Sequence, residues 1–170
     1  MPDKFAALKP AFAKNGSITA ANASKINDGA AAMVLMSEEA AKERGLKPLA
    51  RIIGWEDAAV QPIDFAIAPS KACDKLFKRT GIQASDIEYH EVNEAFSSVA
   101  LANMKLLDLD HDKVNVHGGA VALGHPIGAS GTRIMISLLN VLRKRDATLG
   151  MASICNGGGG ASAMIIERLN

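Results

Sequence analysis

The chain has 170 residues, 48% of them apolar, which suits one soluble globule able to close a core without disulfides or metals. Lysine and arginine number 19 against 18 acidic residues, a net charge of +1 with no single-sign block or basic stripe, which argues against a nucleic-acid partner. No apolar run approaches the ~20 residues that cross a bilayer, and the first residues show no apolar segment followed by a cleavage site, so no membrane is expected.

The opening MPDKFAALKPAFAKNGSITAANAS has Pro, Asn, Gly and Ser punctuation without sustained periodicity and reads as loop. GAAAMVLMS (29–37) is an apolar run that predicts a strand, and EEAAKERG (38–45) a charged helix with Gly45 as its cap. LARIIGWEDAAV (49–60) is β-branched enough for a strand that opens a new unit. APSKACDKLFKRTG (68–81) puts Ala72, Leu76 and Phe77 near one face of a helix, with Pro69 at its start and Gly81 at its end.

DIEYHEVN (86–93) follows as a strand and EAFSSVALANMKLLD (94–108) as a largely apolar helix. KVNVHGGAVALG (113–124) is expected as a strand running into glycine, and SGTRIMISLLNVLRKRD (130–146) as a helix with three basic residues in its last turn. TLGMASICN and ASAMIIERLN, separated only by Gly157–Gly160, leave no room for a crossover helix and should pair antiparallel. The alternation predicts a layered α/β domain closing on a hairpin.

Two cysteines, Cys73 and Cys155, form no CxxC pattern, so neither a disulfide framework nor a zinc ribbon is written here and a reducing compartment fits best. Several motifs are decoys. GAVALGHP has Walker-like glycine spacing but places His125 and Pro126 where Lys and Ser/Thr must stand. Gly158, Gly160 and Ala163 match a dinucleotide fingerprint with no room after them for the helix or the ribose-binding carboxylate. DLDHDK has calcium-loop acid spacing without its glycine or glutamate, and His111, His117 and His125 match no metal-ligand spacing. His90 reads as structural.

Three predicted strand ends remain, each delivering one reactive polar group among small residues: EVNEAF with Asn93, GGAVALGHPIGASG with His125, and CNGGGG with Cys155. In α/β sheets ligands bind at the carboxyl ends of strands, so the three could converge there. An amide can hold a water or an oxyanion, an imidazole can activate a thiol or share an oxyanion site, and a thiol can act as nucleophile or acid/base. For Cys155 taken alone, a buried free cysteine in a glycine turn is the competing reading.

NEAF, GGAVALGHPIGASG and CNGGGGASAM resemble the three carboxyl-terminal signatures of the thiolases, and TAANASKINDGAAAMVLMS resembles the segment leading into them. The resemblance implies the thiolase-like layered αβα core with a mixed sheet. It divides the chain into the tail of a loop domain (1–25), the last strand and helix of an amino-terminal core domain (26–46) and a complete carboxyl-terminal domain (47–170).

It further implies reversible condensation of two acetyl-CoA to acetoacetyl-CoA and free CoA. In that scheme Asn93 holds a water that, with His125 Nε2, binds the enolate oxygen. His125 also favours the thiolate of a nucleophilic cysteine, Cys155 is the acid/base, and the Gly157 N–H serves the second oxyanion hole. Ser24 would contact the pantetheine arm of coenzyme A, with Ala95 and Phe96 lining the thioester pocket. TAANAS with CNGGGG resembles the mitochondrial acetoacetyl-CoA subgroup. That implies the mitochondrial matrix, with the cytosol as alternative, and potassium held by backbone carbonyls of Ala20, Ala21, Ala23 and one near Val121. A homo-oligomer is a family expectation.

The acyl-accepting cysteine of the family belongs to an amino-terminal half that nothing here matches. Cys73, inside its amphipathic helix without a glycine or histidine beside it, reads as structural. The chain is therefore expected to be a fragment, inactive alone, whose apolar 29–37 run seeks a partner. A ketoacyl synthase is the second enzymatic reading, set against by Cys155 standing where those enzymes use a histidine. A non-catalytic paralogue that binds CoA or full-length subunits is the third.

Overall fold

A computed structural model describes residues 2–169. Four strands, β1 (Ala50–Ala59), β2 (Tyr89–Val92), β3 (Leu149–Cys155) and β4 (Gly160–Arg168), form one sheet in the order β1-β4-β3-β2. β4 runs antiparallel to both neighbours and β2 parallel to β3, so the sheet is mixed. The hairpin β3–β4 forms across the short connection Asn156–Gly159, which leaves no room for a crossover helix.

Period-2 alternation feeds both faces of this sheet. Met151 and Ile165 join α2 (Ala68–Thr80) through Cys73 and Leu76 on one side. Ala152 and Ile166 meet Ile134, Leu138 and Leu142 of α5 (Ser130–Arg145) on the other. The result is the expected α/β/α layering. α2 begins with Pro69 in its first turn and ends on Gly81 at φ 76, a left-handed cap suited to glycine. α1 (Glu38–Glu43) is capped by the Ser37 hydroxyl, and α3 (Ser97–Leu107) follows β2.

Two sequence expectations fail. Residues 28–37 form no strand: the run pairs with no other strand among the described residues, and Val34 is 84% exposed. An apolar run gives a strand only where another strand receives its N–H and C=O groups. Residues 113–124 are not a strand either. Val114 makes a single bridge to His90, Asn115 turns the chain at φ 49, and a short helix, α4 (Ala120–Leu123), follows. The Asn115 side chain completes the pairing instead, accepting from the Val92 N–H and donating to the Val92 carbonyl, both at 2.8 Å.

In the β3–β4 turn, Gly159 has φ +92, and a Cβ there would fall 2.3 Å from the Val60 carbonyl oxygen. Gly157 has neither restriction, its Cβ position meeting nothing within 4 Å. Gly159→Ala should therefore cost roughly 2 kcal/mol or more, about 4 °C or more in calorimetric Tm. Gly157→Ala should stay within about 0.5 kcal/mol of the parent.

β2 also buries two titratable side chains, on opposite faces. Burial raises the Glu91 carboxyl from 4.5 to about 8, against the Arg133 charge and with Glu94 adding. Burial lowers His90 from 6.5 to about 4, with Lys113 assisting. Glu91 favours folding fully below pH 4.5, and that contribution is lost as pH rises toward 8; the His90 contribution is present above pH 6.5 and lost as pH falls toward 4. The two slopes cancel between 4.5 and 6.5. Urea unfolding should show a plateau there, then a fall of up to ~1.4 kcal/mol per pH unit above it, and Glu91→Gln should flatten that alkaline fall.

Candidate active site

Parallel pairing of β2 with β3 places Asn93 and Cys155 at the same end of adjacent strands. The Asn93 N–H extends the ladder to the Ser153 carbonyl at 2.9 Å, and Cys155 ends β3 two residues later. Asn93 is 1% exposed, its Nδ2 lies 3.2 Å from His125 Nε2, and its buried Oδ1 has no partner among the described residues. Cys155 is buried, and burial pushes its thiol up while a backbone hydrogen bond opposes the shift. Among the described residues no hydrogen bond joins Cys155 to His125 or Asn93; strand register brings it to this end of the sheet.

His125 reaches this end of the sheet on the 118–129 loop. Gly124 turns the chain at φ +93, where a Cβ would overlap the Asn27 amide at 2.2 Å. The His125 N–H then donates to the Lys25 carbonyl at 2.9 Å. The same incoming segment meets the turn after Asn93, the Ser24 N–H donating to the Ala95 carbonyl at 3.0 Å and the Ser97 N–H to the Asn22 carbonyl at 2.8 Å. Residues 22–26 thus strap both polar groups together and bring Ser24 beside Ala95 and Phe96. Phe96 is held edge-on by Phe12 and Phe65. Burial, and then the Arg133 charge, hold the His125 imidazole below its ordinary value, so the ring rests neutral.

Two residues that lie inside the signature segments but were not among the candidate site residues hold the loop in place. Glu94 accepts from the Val121 N–H at 3.1 Å and from Asn115 Nδ2 at 3.3 Å, lying so close over Gly119 that a Cβ there would fall 2.2 Å from its carboxyl carbon. Ser130, fully buried at the start of α5, sets its Oγ 2.7 Å from His125 Nδ1. The available signal for Glu94 was an acid beside Asn93 in a chain with a distant glycine pair; for Ser130 it was a polar residue opening an apolar helix.

Of the remaining candidates, Gly157 lies in the open part of the hairpin turn. No N–H or side chain among the described residues donates to the carbonyls of Ala20, Ala21, Ala23 or Val121. Cys73 is fully buried in the core beneath the sheet, its thiol pushed up to about 12 by burial against a hydrogen bond with Ser153. No described helix is long and apolar enough to cross a membrane. A neutral imidazole, a buried amide with one unmet atom and a protonated thiol at one rim can move a proton and stabilise an adjacent oxyanion without a standing charge.

Residues 46–168 match the family model described as thiolase, C-terminal domain, and residues 1–39 the one described as thiolase, N-terminal domain. The chain is 59% identical to a mitochondrial acetyl-CoA acetyltransferase of Rattus norvegicus over 98% of its own length and 39% of the relative's. It is 58% identical to a cytosolic acetyl-CoA acetyltransferase of Gibberella zeae, covering 42% of that protein. Overall identity thus shows no counterpart to the mitochondrial tilt of the motifs. The structure superposes on the Bacillus anthracis acetyl-CoA acetyltransferase with a TM-score of 0.96 at 51% identity, covering 99% of this chain and 43% of that one. Its TM-score against the human mitochondrial 3-ketoacyl-CoA thiolase in complex with CoA is 0.91 at 38% identity, again with 99% and 43% coverage. The chain spans about 40% of the length of the relatives it matches and belongs to the thiolase family.

Proposed function

We propose that this chain supplies the acid/base and enolate-binding portion of an acetyl-CoA C-acetyltransferase, which reversibly joins two acetyl-CoA into acetoacetyl-CoA and CoA. The observation that carries the reading is the Asn93–His125 contact at 3.2 Å, set at the carboxyl ends of parallel strands beside Cys155. In condensation Cys155 first gives its proton to the CoA thiolate that leaves when the acyl group is loaded, and the resulting Cys155 thiolate then takes a proton from the methyl group of the second acetyl-CoA. The enolate oxygen is held by His125 Nε2 and by a water on Asn93, whose buried and unmet Oδ1 suits a bound water.

The enolate carbon then attacks an acyl group carried on a cysteine of an amino-terminal half, the carbon–sulfur bond breaks to return that cysteine as a thiolate, and the Gly157 N–H helps to hold the oxygen of that carbonyl. In the reverse direction the Cys155 proton returns to carbon. The openness at Gly157 supports this role, because its lack of a side chain serves no turn in this chain. Solved thiolase structures in complex with CoA support coenzyme A as the ligand, and Ser24, Ala95 and Phe96 are assigned to it in this reading. The division at 1–25, 26–46 and 47–170 belongs to the same reading. The free carbonyls of Ala20, Ala21, Ala23 and Val121 suit a hard cation such as potassium, which when bound would stiffen the loops beside the coenzyme A site.

Neither thiol in this chain is set as an acyl acceptor. Cys73 is sealed in the core and Cys155 has the acid/base role. The 170-residue chain alone should therefore show no thiolysis of acetoacetyl-CoA, and mixing it with the amino-terminal half of a thiolase should restore activity. Cys155→Ala in that mixture should lower kcat by roughly 10²–10⁴-fold. Turnover by the chain alone would overturn the missing-nucleophile account, and a mixture inert despite demonstrated association would favour a non-catalytic paralogue.

The occupant proposed for the apolar rim is that same half. Ile26, Val34 and Ile127 are 91%, 84% and 73% exposed, apolar side chains whose burial against a covering chain would favour association. Light scattering should report species larger than 17.8 kDa, reduced when the half is added. A monodisperse monomer would contradict this.

A further inference from the structure

The proposed chemistry asks two things of one nitrogen. His125 Nε2 must first take a proton, so that a neighbouring thiol becomes a thiolate, and must then present that proton to a substrate oxygen. Both need Nε2 to rest as a lone pair, with the ring's single proton on Nδ1. An unconstrained neutral imidazole favours the opposite tautomer, and which nitrogen is protonated is set by what the other one meets.

We propose that Ser130 is a positioning residue that holds His125 in the Nδ1–H tautomer. Its Oγ lies 2.7 Å from Nδ1 and 3.0 Å from the Pro126 carbonyl oxygen. A hydroxyl has one proton and two lone pairs. Directed to the Pro126 carbonyl, that proton leaves only lone pairs facing the imidazole, so Oγ accepts from Nδ1–H. Nε2 is then an acceptor and meets the Asn93 Nδ2–H donor at 3.2 Å. The three hydrogen bonds run in one direction, from Asn93 through His125 and Ser130 to Pro126.

The alternative fails at its far end. Were Ser130 to donate to Nδ1, it would give up the Pro126 carbonyl, and the ring proton would sit on Nε2 and face the Asn93 Nδ2–H at 3.2 Å, donor against donor. The same hydroxyl also serves the later state. When Nε2 takes up a proton the ring becomes an imidazolium, Nδ1–H still donates to Oγ, and no partner has to move. Because Oγ is neutral it directs the ring without adding the charge of a carboxylate, in keeping with an imidazole held below its ordinary value by burial. The significance for turnover rests on the thiolase reading above, whereas the tautomer is a property of this chain.

The test is imidazole proton–nitrogen NMR on the full chain labelled with ¹⁵N-histidine, at a pH where the ring is neutral, with His125 assigned by loss of its signals in His125→Gln. The parent should show His125 protonated on Nδ1. Ser130→Ala deletes one buried atom and should shift the tautomer ratio about tenfold toward Nε2–H, the size of one neutral hydrogen bond; a merely structural role for Ser130 would not move that ratio. A parent protonated on Nε2, or a Ser130→Ala chain unchanged from an Nδ1–H parent, would overturn the proposal. Should Ser130→Ala fail to fold, Ser130→Cys, a poor acceptor of similar size, replaces it with the same expected shift. Failure of complementation leaves these spectra unaffected, so the two ideas fail separately.

Discussion

Parallel pairing of β2 with β3, closed by the Asn93 N–H on the Ser153 carbonyl, decides where the reactive side chains end up. Two parallel strands bring their carboxyl ends together, so residues just past those ends face one crevice. A shift of one residue would turn every side chain of β2 to the other face. Asn93 would then leave His125, and Glu91, which tolerates burial only without its charge, would exchange environments with His90. The antiparallel strands β1 and β4 contribute by fixing β3: they hold the hairpin whose turn carries Gly157 past the end of Cys155.

His125 comes from outside the sheet, and its placement is a matter of satisfying backbone groups. A twelve-residue connection with one short helix has few internal partners, so it borrows them. The Glu94 carboxylate takes the Val121 N–H, the Lys25 carbonyl takes the His125 N–H, and the Arg133 guanidinium takes the Gly124 carbonyl at 2.6 Å. Gly119 and Gly124 have no side chains because Glu94 and Asn27 occupy that space. The loop is therefore fastened to the Asn93 turn, the 22–26 strap and α5, the same elements that deliver the other site residues. Geometry among the three groups follows from shared supports.

What was legible in the sequence was whatever announces itself over a few neighbouring residues. Pro69 and Gly81 bound α2, four glycines force the hairpin, and small residues around Asn93, His125 and Cys155 mark places where a chain avoids filling space. What was illegible depended on distant partners. The 29–37 run has strand composition but no strand beside it, and periodicity reports the capacity to pair, not the presence of a mate. The 113–124 segment misled for the converse reason: Asn115 completes β2 with a side-chain amide, in a left-handed conformation that β-propensity cannot register. Glu94 and Ser130 are common residue types whose roles exist only once the 119–125 loop lies against them.

Burial sets the character of the site before any ligand arrives. The same desolvation lowers the imidazole of His125 and raises the thiol of Cys155, so both rest uncharged and a thiolate–imidazolium pair is not the ground state. Under the proposed thiolase chemistry this would favour proton removal from carbon, since a thiol that resists ionisation forms a stronger base once its proton has gone. It would also keep the cysteine protonated for the reverse direction, in which carbon receives a proton. A chain that covers the exposed rim at Ile26 and Ile127 lowers the local dielectric further and moves both groups the same way. Closing the site would therefore deepen an electrostatic arrangement that this chain already holds on its own.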